Sequence, residues 1–207
     1  FFSCFLVLPL TLSLQSLNDL GFRFFLIILI TSDSLLPCSR SIFSNETLRI
    51  YTNTDIKGVE LGGSIKNVIA IATGICDGIG YGDNTKAALL TRGMAEISRL
   101  GIAMGSKMKT FQGLSGMGDL IVTCLSKHSR NRLVGQSIGE GKSLNQILSE
   151  MKMVAEGVKT AKSVHQLRQE YNVNMPICEA VYQILFEKRN AKQSVKDLMT
   201  RELRIED

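Results

Sequence analysis

The chain has 207 residues, 44% of them hydrophobic, with no tryptophan, three prolines and eighteen glycines, which is ample for a sizeable core in one or two domains and excludes a collagen-like or disordered chain. Its formal net charge of +5 arises beyond residue 45, because Arg23 and Arg40 are matched by Asp19 and Asp33 before it; basic and acidic residues interleave, which suits anionic small molecules better than nucleic acid. Five cysteines (Cys4, Cys38, Cys76, Cys124, Cys178) form no C-x-x-C pair, so neither a metal knuckle nor a disulfide framework is expected, and a reducing cytoplasm fits.

The chain opens on Phe1, which reads as a processed product, a fragment or a conceptual translation. Residues 1–14 are apolar, but they hold Ser3, Pro9, Thr11 and Ser13, lack a basic start and precede no A-x-A pattern, so they make a poor secretory signal. A second apolar run at 22–30 carries Arg23 and is too short to span a bilayer; a buried strand over 25–30 is expected instead. Ser44 and Asn45 mark a turn, 48–51 alternates as a short strand, and 52–55 supplies helix caps. An ordered domain therefore begins near residue 48.

From residue 56 to about 75 the sequence predicts one long helix capped by Asp55, with Val59, Ile65, Val68, Ile69 and Ala72 on its apolar faces. It is almost uncharged after Lys66 and apolar nearly all round, which predicts a central position. A loop at 76–84 and a second helix at 85–104 should follow, the latter closed by Gly105 and striped by Leu89, Met94, Ile97 and Leu100. Further helices are expected from Thr110 and Phe111 onward, then at 131–140, 144–151, 160–171, 175–186 and 195–200. The reading is an essentially all-helical domain without internal repeats.

Three polar groups interrupt this apolar sequence. In E-L-G-G-S-I-K-N, Lys66 shares a helix face with Gly62, Gly63, Ala70 and Thr73, a shallow trough where a ligand can approach a partly desolvated ammonium. The same spacing also fits a lysine reaching solvent beside packing glycines. Asp119, in G-M-G-D, opens a buried run and can orient a lysine or accept from a substrate hydroxyl; a helix cap is the plainer use of such a residue. Ser129, Arg130, Asn131 and Arg132 offer a hydroxyl, guanidinium donors and an amide at a helix start, suited to phosphate, or else form a solvated basic turn. His128 and His165 have no ligand-spaced partner and read as surface or supporting residues, with no metal implied. G-I-G-Y-G at 78–82 is not a dinucleotide turn, because it follows a helix instead of a strand.

These blocks, V-E-L-G-G-S-I-K-N-V-I-A-I-A-T-G-I-C-D-G-I-G-Y-G-D-N, T-R-G-M-A-E-I-S-R-L-G, G-L-S-G-M-G-D-L-I-V-T-C, S-R-N-R, G-K-S-L, V-A-E-G-V-K-T-A and the closing L-M-T-R-E-L, closely resemble, in order and spacing, the carboxy-terminal domain of the bacterial-type NAD(P)-dependent glycerol-3-phosphate dehydrogenases. The resemblance covers about residues 48–206. It implies a mainly α, all-helical substrate domain of the 6-phosphogluconate-dehydrogenase-like superfamily, and interconversion of sn-glycerol 3-phosphate and dihydroxyacetone phosphate with NAD or NADP, supplying a phospholipid precursor. It further implies Lys66 as catalytic proton acceptor, with Asn67, Asp119, Ser129, Arg130 and Asn131 at the substrate. Arg130, Val154 and Glu156 would meet the cofactor, and a homodimer is compatible.

The sequence departs from that pattern over residues 1–47, which lack the glycine-rich nucleotide turn and only echo the last strand and helix of a Rossmann domain, with Pro37 breaking the helix. These residues read as a truncated or aberrant remnant of that domain, and the chain alone as catalytically incomplete. The alternative is a non-catalytic helical association module derived from the enzyme.

Overall fold

The computed structural model describes residues 24–29, 42, 44–45, 48–151 and 155–201. Two strands come first: β1 (Phe24–Leu29) and β2 (Leu48–Asn53) pair in parallel, with Phe24 opposite Leu48 and Leu29 opposite Asn53. β1 sits one residue ahead of the expected strand, and β2 runs on to Asn53. Most of the expected Rossmann remnant, Pro37 included, lies outside the described residues.

From residue 56 to 199 the described residues are helical or connecting. α1 (Ile56–Ile79) is capped by Asp55, whose side chain accepts from the Gly58 N–H. The same carboxylate accepts from the Lys107 N–H at 2.8 Å and the Thr110 hydroxyl at 2.7 Å, tying the start of α1 to α3 (Met108–Gln112). Burial pushes the Asp55 carboxyl up, but these hydrogen bonds hold it below its ordinary range.

Every residue from Val68 to Cys76 is buried, so α1 is surrounded by its neighbours α2 (Asp83–Ala103), α4 (Asp119–Leu125), α5 (Arg130–Gly139) and α7 (Glu156–Glu170). Among the described residues α1 alone is long and apolar enough to cross a bilayer, yet 67% of its most apolar window is buried inside the fold. Its hydropathy is that of a core helix.

The α1–α5 contact is made backbone to backbone. A β-carbon on Gly74 would lie 1.9 Å from the Arg132 carbonyl oxygen, and one on Gly135 would lie 2.0 Å from that of Ile71. Gly78 and Gly139 repeat the arrangement one turn on. Each helix thus presents a pair of glycines at i, i+4 to the other, and no side chain separates them.

α1 runs four residues past its expected end and stops where Gly80 takes φ 95°, the left-handed conformation that glycine adopts without strain. The expected loop at 76–84 shrinks accordingly. α7 begins at Glu156 instead of residue 160 and α9 (Ala191–Met199) at Ala191 instead of residue 195. In both, polar first turns hide the helix start from apolar periodicity. The remaining helices are α6 (Leu144–Glu150) and α8 (Pro176–Phe186). In the core, Glu96 of α2 is buried at 1% exposure and accepts from the first backbone N–H groups of α8, those of Ile177 at 2.7 Å and Cys178 at 3.0 Å. It supplies from a distant helix the acceptor that α8, which starts on Pro176, lacks locally.

Candidate active site

Lys66 lies in the middle of α1, and its ammonium donates to the Asp119 carboxylate at the head of α4. The pair is mostly enclosed, with side-chain exposures of 17% and 9%. Asp119 also accepts from the Thr123 hydroxyl one turn on, at 3.4 Å. Burial pushes the Asp119 carboxyl up, against the opposing pull of Lys66 and Thr123. The expected tight loop before it is a single π-helical turn, Leu114–Gly118, running directly into α4. Asp119 is therefore the first residue of α4 and not its N-cap, and its carboxylate is turned onto Lys66. Such π turns recur at functional sites because they re-aim side chains.

The two glycines ahead of Lys66 differ in role. A β-carbon on Gly62 would stand 3.0 Å from the Ser115 carbonyl of the π turn, whereas one on Gly63 would meet nothing within 4 Å. Gly62 lets α1 and the π turn approach; of the four residues expected to form a trough beside Lys66, Gly62, Ala70 and Thr73 are buried in the fold and Gly63 faces open space. An ammonium has three donors, and Asp119 is the one hydrogen-bond partner of Lys66 among the described residues, so two donors remain for a ligand.

A second cluster adjoins the first through Asn67, the residue after Lys66. Its carbonyl oxygen lies at the start of α7, where a β-carbon on Gly157 would come within 2.7 Å of it and within 2.8 Å of Asn131 Oδ1. Asn131 is buried and accepts from the Gly157 N–H at 2.9 Å. Its side-chain NH₂ has no hydrogen-bond partner among the described residues and stays available as a donor. Ser129 caps α5, its hydroxyl accepting from the Arg132 N–H at 3.3 Å. Arg130 is exposed at the first residue of α5, and Glu156 is exposed at the first of α7. Val154 lies outside the described residues.

Arg132, read with its neighbours as part of an anion-binding turn, has another task. Its guanidinium donates to Asp77 of α1 at 2.6 and 2.7 Å, and Asp77 also meets Lys86 of α2 at 3.2 Å. This network fixes the head of α5 against α1. Asp77, Lys86, Thr123 and Gly157 all escaped the sequence reading; the i, i+4 spacing of Asp119 and Thr123 was the one available signal. Cys124 stands between Thr73 and the Lys66–Asp119 pair, and burial pushes its thiol up to about 12, which keeps it protonated and unreactive. His165, read as a surface or supporting residue, is partly covered: its ring stacks on Tyr182 at 3.8 Å and its Nδ1 lies 2.8 Å from Glu179.

Comparison with known proteins places this geometry. Residues 55–196 match the model for the NAD-dependent glycerol-3-phosphate dehydrogenase C-terminus. A glycerol-3-phosphate dehydrogenase [NAD(P)+] of Salinibacter ruber is 61% identical over 77% of this chain and 46% of its own length. One from Staphylococcus aureus is 57% identical over 84% of this chain and 52% of its own. Among solved structures, a glycerol-3-phosphate dehydrogenase from Coxiella burnetii superposes with a TM-score of 0.77 at 39% identity, covering 82% of this chain and 52% of that one. A second, from Saccharomyces cerevisiae, gives 0.72 at 29% identity, over 80% and 48%. The chain spans about half the length of the curated relatives it matches. Sequence blocks, helical architecture and matched residues agree: this chain belongs to the NAD-dependent glycerol-3-phosphate dehydrogenase family, within the carboxy-terminal part that carries Lys66 and Asp119.

Proposed function

We propose that this chain forms the substrate-binding and proton-transfer wall of an enzyme that interconverts sn-glycerol 3-phosphate and dihydroxyacetone phosphate. The observation that carries the reading is the enclosed Lys66–Asp119 pair, whose ammonium keeps two donors unused among the described residues, beside the open face of Gly63. A nicotinamide, when bound, supplies or accepts the hydride at C2. In the reducing direction the C2 carbonyl gains that hydride, its π pair moves onto oxygen, and Lys66 Nζ gives the oxygen a proton. The ammonium also stabilises the negative charge while it develops. Asp119 holds Lys66 in place and can accept from a substrate hydroxyl.

The phosphate is assigned to the head of α5, where the Arg130 guanidinium, the Asn131 NH₂ and the Ser129 hydroxyl stand at a positive helix end. Asn67, next to Lys66, links this end to the reacting carbon. The residues present fit one edge of a dinucleotide: Gly157, where a β-carbon would fill the space against Asn67 and Asn131, seats the start of α7, and Glu156 and Arg130 are both exposed at the heads of their helices. Val154 is assigned to the same edge. NAD and NADP are not distinguished by these residues, since they meet only that edge. The free, buried cysteines Cys76, Cys124 and Cys178 support a reducing, cytoplasmic setting.

The test is a chimaera joining residues 48–207 to the amino-terminal half of the Staphylococcus aureus relative, assayed for NADH or NADPH oxidation with dihydroxyacetone phosphate. Turnover that falls about a hundred-fold or more in Lys66→Ala supports the assignment. A folded chimaera in which Lys66→Ala retains full turnover overturns it.

A further inference from the structure

A groove of about 1190 Å³ is bounded by the end of α5, by α6 and α7, by the end of α8 and by the start of α9, and none of the proposed site residues lines it. Its lining mixes two chemistries. Apolar side chains come from every bounding helix, among them Ile138, Leu144, Val158, Ile184 and Phe186. Five cations, Lys142, Lys159, Lys162, Lys188 and Arg189, share the lining, and no carboxylate does.

Glu150 engages Lys142 and Asp197 engages Arg189, both at the margin. Lys159, Lys162 and Lys188 have no carboxylate within 4 Å among the described residues. The Lys162 ammonium sits 4.6 Å from the centre of the Phe186 ring, so a positive charge is stationed directly against the apolar lining. Lys188 holds φ 59°, a left-handed conformation that a lysine enters only at some cost.

A bare phosphate would use the cations and leave the apolar walls wet; an uncharged hydrocarbon would do the reverse. A groove bordered by five helices and open to solvent on one side, with a volume somewhat above the usual small-molecule range, has room for one alkyl chain and its head group. We propose that it binds a monomeric single-chain anionic amphiphile, an alkyl phosphate or fatty-acid carboxylate, with the chain against Leu144, Val158 and Ile184 and the head among Lys159, Lys162 and Lys188. The proposal does not rest on the redox reading.

Isothermal titration of the 207-residue chain with dodecyl phosphate below its micelle concentration tests it. Expected are one-to-one binding, a negative heat-capacity change from apolar burial, and an affinity about ten-fold weaker or worse in the exposed double variant Lys162→Glu/Lys188→Glu and in Leu148→Glu, an exposed residue of α6 in the same lining, each checked for helicity by circular dichroism. Dodecanoate should compete. Any of four results overturns the proposal: equal binding of dodecyltrimethylammonium, equally tight binding of inorganic phosphate, binding confined to micelles or anionic vesicles, or unchanged affinity in the folded double variant. Preferential binding of an acidic amphipathic peptide would likewise reassign the groove to a protein partner.

Discussion

Lys66 and Asp119 are separated by 53 positions yet share one hydrogen bond in a mostly enclosed place. Removing one partner strands the other charge, so Lys66→Met should destabilise the chain by about 3 kcal/mol in urea unfolding. The double variant Lys66→Met/Asp119→Leu should recover most of that loss, because neither charge then has to be desolvated. If the double variant unfolds as easily as the single one, the two groups are not energetically coupled. Lys66 and Asp119 stand out as candidates in the sequence because both break apolar runs beside glycines, and the structure brings their side chains together. The ion pair of Arg132 is not visible in the sequence, because its partner Asp77 lies in a glycine-rich segment that predicts a loop, whereas α1 continues to Ile79. A partner 55 positions away leaves no local trace.

At the scale of the helix, glycine identity says little until its neighbour is known. Gly63 and Gly135 both sit inside helices, but one faces open space and the other faces the Ile71 carbonyl. Gly135→Ala should therefore cost about 3 kcal/mol or more, as α5 is forced off α1. Gly63→Ala should instead stabilise by about 0.5–1 kcal/mol, the ordinary gain of alanine over glycine in a helix. Thermal unfolding of both variants checks the contrast. The Gly63 variant carries a second readout for the proposed function: a methyl on that open face near Lys66 should weaken glycerol 3-phosphate binding while raising the melting temperature, a combination that general destabilisation cannot produce. The sequence displayed the central helix through its all-round apolarity. It also displayed the paired i, i+4 glycines of α1 and α5, but which helix meets which is a tertiary fact.

At the scale of the molecule, the polar tie that reaches furthest along the chain among the described residues is Glu96, which joins α2 to the start of α8 across 81 and 82 positions. Nothing in its helical context marked it, since a glutamate on a long helix reads as solvent-facing. Burial raises its carboxyl to about 7, against the pull of the Ile177 and Cys178 N–H groups and of Arg99. A carboxyl raised in the folded state contributes stability that is fully present below its unfolded value of about 4.5 and is lost as pH climbs through about 7. Asp119, also raised, acts in the same sense. Asp55 and Glu179 are held low, so their contribution is present above their unfolded values and is lost only on stronger acidification. The two trends together place maximum stability at mildly acidic pH, with a decline across the neutral range. Glu96→Gln keeps the volume and one acceptor but cannot titrate. Its melting temperature should lie lower overall, because one α8 N–H loses its acceptor, and should fall less steeply than the parent between about pH 5 and pH 8. Parallel pH profiles for parent and variant would show that Glu96 keeps one protonation state throughout, and would move the source of the decline to Asp119.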